Sequence, residues 1–103
     1  MTTWKTGQLE KLCKAILSFS TTAELANFLR DLLTESEMKE FADRFTVAQA
    51  LAEGRPQREV AKVTGVSIAT VTRVNQWLLR GMGGYKQAII SLNTQSHHHH
   101  SAD

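Results

Sequence analysis

The chain has 103 residues, 42% hydrophobic and 21% charged, with a net charge of +2; that is the size and composition of one folded domain and excludes wholesale disorder. The single cysteine, Cys13, excludes an internal disulfide, and every apolar run is broken by charge within a few residues, so neither a leader peptide nor a spanning helix is expected and the expected compartment is the cytoplasm. The charge is unevenly spread: from Met1 to Gly54 six basic residues stand against eight acidic ones, net −2, whereas from Arg55 to Ile90 six basic residues meet Glu59 alone, net +5.

The elements follow in chain order. Leu9, Leu12, Cys13, Ile16 and Leu17 recur at the spacing of one helical face and predict a first helix from about Thr6 to Phe19, with Cys13 as a small buried hydrophobe. In "TTAE", Thr21 is placed to cap a second helix, with Glu24 closing a capping box, and Leu25, Phe28, Leu29, Leu32 and Leu33 repeat the stripe. "TESE" repeats the device, Thr34 with Glu37, ahead of a third helix with Met38, Phe41, Ala42, Phe45, Ala48 and Leu51 on its core face and an end near Gly54. Arg55-Pro56 opens a short fourth helix, Gly65 ends it, and a fifth follows. "RGMGGY" makes a joint before a last short helix from Tyr85 to about Leu92.

No segment alternates with period two for long. The expected fold is therefore all-α, about six helices, with one domain over residues 1–93 and a disordered tail over 94–103. A core of this size is thin, and a homodimer would bury apolar faces that one copy cannot cover. There is no histidine before the tail, no phosphate loop and no nucleophile elbow, so an enzyme is not expected. His97 to His100 have no cysteine near them and sit on the tail, so neither a metal site nor a cofactor is expected.

The most specific stretch is "QREVAKVTGVSIATVTRV". Two short helices crossing closely need a small residue inside the first, supplied by Ala61, and a turn residue tolerant of positive φ, supplied by Gly65. Ser67 can cap the next helix, while Val66, Val71, Val74 and Leu78 face the core. At 100° per residue, Ala69, Thr72, Arg73 and Gln76 point away from that core. An outer face of short, hydroxylated and basic residues without any acid suits the DNA major groove, where side chains must sit deep beside phosphates. This predicts a helix-turn-helix over about residues 56–78 and a double-stranded DNA operator as partner, with no membrane. The alternative is a protein-interaction or dimerisation module that retains the shape without binding DNA.

"LLTESEMKEFADRF" followed by "ALAEGRPQREVAKVTGVSIATVTRV" resembles the tryptophan operon repressor superfamily of bacteria. The continuation "VNQWLLRGMGGYK" resembles a less characterised branch with the GGYK ending. The resemblance implies an intertwined all-α homodimer acting as a transcriptional repressor. It assigns DNA contacts to Gln57, Arg58, Ile68, Ala69 and Thr72; Ile68 suits a thymine methyl, and Arg58 with nearby Lys62 suits phosphates. Ala61 stands where the family has a lysine. The resemblance also implies L-tryptophan as co-repressor, in a pocket matching Thr34, Arg44, Thr70 and Arg73, the two arginines sandwiching the indole. Here the chain departs: Val74 replaces a glycine and Trp77 a serine. Thr70, Arg73 and Trp77 share one flank of the fifth helix, so the Trp77 indole is expected to intrude on the ligand space and remove the dependence on free tryptophan.

Overall fold

The residues that the computed structural model describes, 3–102 in the backbone and 3–95 in the side chains, form six helices and no strand. The helices are α1 (Gly7–Leu17), α2 (Thr22–Leu32), α3 (Glu35–Ala52), α4 (Gln57–Thr64), α5 (Ile68–Arg80) and α6 (Gly84–Ala102). The chain divides into two compact units, meeting between Met38 and Lys39 in the first turns of α3.

In the first unit the helix starts are chemical. Thr6 caps α1 by accepting from the Leu9 amide at 3.1 Å, and Thr21 accepts from the Glu24 amide at 3.1 Å. At Thr34 the box closes in both directions: its hydroxyl accepts from the Glu37 amide at 3.0 Å, and the Glu37 carboxylate accepts from the Thr34 amide at 2.9 Å. Each such cap stabilises its helix by about 1 kcal/mol. Both α1 and α2 are amphipathic, yet neither contains a buried residue. Leu9, Leu12, Ile16, Leu25, Phe28, Leu29 and Leu33 are half-buried, and the Phe19 and Phe28 rings lie 5.3 Å apart. Cys13 is exposed, contrary to the expectation that it is buried. Two short helices offer too little apolar surface to cover one another's stripes.

The second unit holds the core: Val47, Ala48, Leu51, Val60, Val71, Val74, Leu78 and Ile89, with Phe45, Ala61, Val66 and Tyr85 packed against it. The stripe of α3 differs from the expected one. Phe41 is 46% exposed and Ala42 is exposed, while Val47 is fully buried. Val47, Ala48 and Leu51 share one face at i, i+1 and i+4, and that face meets the later helices; the earlier half of α3 has no such cover in this unit. Fully burying each valine is worth about 1.5–3 kcal/mol.

Pro56 stands at the N-cap of α4 with φ −63°, just outside the first turn where it was expected. Gly65 ends α4 in the left-handed region at φ 76°, as the turn requires, and Ser67 caps α5 by accepting from the Thr70 amide at 3.2 Å. The last helix departs most from expectation. α6 runs past Leu92 to Ala102, through the segment expected to be disordered. Loss of apolar periodicity does not end a helix; glycine and proline do, and none lies between Tyr85 and Ala102, where each polar residue costs at most about 0.7 kcal/mol relative to alanine. The side chains of His97 to His100, the tract considered for metal binding, lie outside the described residues.

Candidate nucleic-acid interface

The surface of interest is built by α4, the turn at residues 65–67 and α5. Burial of Val60 on α4 and of Val71, Val74 and Leu78 on α5 turns the other sides of both helices outward. Arg58, Lys62, Ala69, Thr72, Arg73 and Gln76 are exposed, Ile68 is 49% exposed at the first turn of α5, and Gln57 is half-buried at the first residue of α4. Ala61, half-buried and packed on the core, gives α5 room to approach. Across the turn the Thr72 hydroxyl donates to Gln57 Oε1 at 2.8 Å, tying the two helices through their outward side chains. Sequence periodicity carried no sign of this bond, because it depends on how α4 crosses α5.

The electrostatics separate this surface from the rest of the chain. Most cations of the earlier helices are engaged: Lys14 with Glu10, Arg30 with Glu35, Lys39 with Asp43 and Arg44 with Glu40. Arg55, just before α4, lies 3.1 Å from Glu53 and 3.8 Å from Glu59. Among the described residues, Arg58, Lys62, Arg73 and Arg80 have no carboxylate within 4.0 Å. Their charge is left for an external anion, and nothing internal must be broken to reach one.

On the flank of α5, Arg44, Thr70, Arg73, Val74 and Trp77 line one recess together with Tyr85. Four residues of the expected ligand pocket thus come together. Tyr85 joins them from the start of α6; its only signal in the sequence was the GGYK ending. The recess encloses about 130 Å³, well below the ~300 Å³ at which pockets for small ligands begin. Its polar walls are partly committed. Arg44 donates to Glu40 at 2.7 Å and lies 5.5 Å from the Phe41 ring centre, and the Ser67 hydroxyl donates to Thr70 Oγ1 at 3.1 Å. Trp77, 60% exposed, forms one wall and also borders a second shallow recess with Gln76 and Arg80. Thr34, the remaining expected pocket residue, belongs to the first unit, where its hydroxyl and amide are taken up in capping α3.

Comparison with known proteins bears on this arrangement. The sequence profile of a family described as Trp repressor protein matches residues 7–93. The chain is 35% identical over 82 residues to an uncharacterised protein, YerC, of Bacillus subtilis (strain 168), covering 80% of this chain and 79% of that one. It is 41% identical over 72 residues to a Trp operon repressor homolog of Chlamydia trachomatis serovar D, covering 65% and 77%. Among solved structures, a TrpR-like protein from Eubacterium eligens superposes with a TM-score of 0.81 at 38% identity, covering 86% of this chain and 92% of that one. A structure described as a putative Trp repressor from Staphylococcus aureus gives 0.81 at 28% identity, covering 86% and 89%.

Proposed function

Because the chain belongs to the Trp repressor family, which consists of transcription regulators and not enzymes, we propose that it is a dimeric repressor that reads DNA through α4 and α5 as a helix-turn-helix. One observation carries this reading: the cations of α4 and α5 project outward without carboxylate partners among the described residues, whereas most of those before Pro56 are paired. In the proposed complex α5 lies in the major groove. Ile68 and Ala69 meet base edges from its first turn, Thr72 follows one turn later, and Arg58, Lys62, Arg73 and Gln76 hold the flanking phosphates.

The dimer is proposed on the state of the first unit. The stripes of α1 and α2 are half-buried at best, and a recess of about 470 Å³ opens beside α1 between Trp4, Leu9 and Cys13. A second copy would cover these faces and carry the second reading helix. We propose further that binding does not depend on L-tryptophan. The small volume beside Arg44 and Arg73, walled by Trp77 and Val74, supports this. No helix of the described residues is long and apolar enough to cross a membrane.

Selection of bound fragments from random DNA tests the proposal. The expected result is a two-fold symmetric site with half-sites about 34 Å, one helical turn, apart. Recovery of no common motif, with binding insensitive to salt, would refute it.

A further inference from the structure

The hydrogen bond between Thr72 and Gln57 has a consequence for how the surface reads a base. The Thr72 hydroxyl donates its proton to Gln57 Oε1 at 2.8 Å, and this is the only side-chain bond joining α4 to α5 among the described residues. A hydroxyl has one proton to give and two lone pairs, while a carboxamide has one acceptor oxygen and two N–H donors. Once the bond forms, Thr72 faces outward as an acceptor only, and Gln57 faces outward chiefly through Nε2 as a donor. The bond therefore filters what each side chain can recognise.

We propose that Gln57 is a positioning residue that sets the base preference of Thr72, so that each Thr72 selects an exocyclic amino group, from adenine or cytosine, at one position of each half-site. This rests on the DNA-binding reading above. In the major groove, adenine N6 and cytosine N4 present donors at the base edge, whereas guanine O6 and thymine O4 present acceptors. A threonine oxygen whose proton is committed accepts from the first pair and repels the second. Gln57, with one lone pair of its oxygen taken and its carboxamide turned toward Thr72, is held away from the two-bond contact to adenine that a free glutamine makes with the same oxygen and Nε2. Its Nε2 is left to donate to a phosphate oxygen, beside Arg58 at the start of α4. The bond also restrains the glutamine before DNA arrives, which reduces the side-chain entropy lost on binding.

Random-sequence selection with the full chain and three variants tests this, with thermal melting to show that each variant folds. Wild type is expected to prefer adenine or cytosine over guanine or thymine at the Thr72 position by about tenfold, the scale of one well-placed base contact. In Gln57→Ala the hydroxyl is free to donate or accept. The preference at that position should fall to within about twofold, while the rest of the motif persists, although Gln57 itself touches no base. Thr72→Val should lose the same preference, and Thr72→Ser should keep it. A Gln57→Ala profile that retains the tenfold preference, with affinity lowered evenly, overturns the proposal. Failure of the wild type to select any motif defeats the DNA-binding reading itself, and this inference with it. A second measurement needs no DNA: ¹⁵N relaxation of the Gln57 side-chain amide should show it restrained in wild type and mobile in Thr72→Val. Equal mobility in the two overturns the coupling.

Discussion

Replacing Arg58 by alanine isolates the phosphate term of binding. Arg58 is exposed on α4 and has no carboxylate within 4.0 Å among the described residues, so its removal strands no internal partner. Any change in DNA affinity is then the loss of a contact to the polyanion. Each phosphate contact contributes about 0.9 to the slope of log affinity against log salt concentration. A dimer presents Arg58 twice, so the slope should flatten by about 1.8. Between 50 and 200 mM salt, wild type should lose about twelvefold more affinity than Arg58→Ala. Arg55→Ala is the internal control. Its guanidinium is already shared between Glu53 and Glu59, and its removal frees two carboxylates near the same phosphates. The slope should flatten less than for Arg58→Ala, because the repulsion by those carboxylates is screened by salt while no phosphate contact is lost. Fluorescence anisotropy on a selected site, titrated at four or five salt concentrations, measures both. Parallel salt plots for wild type and Arg58→Ala would refute the argument, because they would mean that this face of α4 does not meet the phosphates.

Two further outcomes follow from the packing. A ligand present at a hundred times its dissociation constant stabilises a protein by about 2.7 kcal/mol, or roughly 10 °C or more for a domain of this size. Thermal melting of wild type with excess L-tryptophan should show no such shift, and a rise of that size would refute the view that Trp77 and Val74 close the recess. Val71→Ala removes two methyl groups from a fully buried position and should cost about 2 kcal/mol, read by chemical denaturation. Leu79→Ala, at a residue 63% exposed, should stay within about 0.5 kcal/mol; equal losses would show that the apolar face of α5 is wrongly placed.

Local chemistry made much of this protein legible in its sequence. Thr34 with Glu37, Ser67 at the start of α5 and Gly65 at positive φ act within three or four residues, so their spacing alone announced where helices begin and end. The outward face of α5 followed from the helical repeat in the same way. Where the outcome depended on what lies opposite, the sequence was silent or misleading. Cys13 sits in a helical stripe, but a stripe records which residues share a face and not whether anything covers it. Phe41 and Val47 both fall on apolar positions of α3, and only the placement of α4 and α5 decided that Val47 is buried and Phe41 is not. The same holds for the bond from Thr72 to Gln57 and for Tyr85 beside Trp77: residues eight or fifteen positions apart on different helices meet only through the crossing of those helices. Periodicity is a property of one helix and survives in a linear string. Proximity between helices is a property of their packing, and only the folded chain contains it.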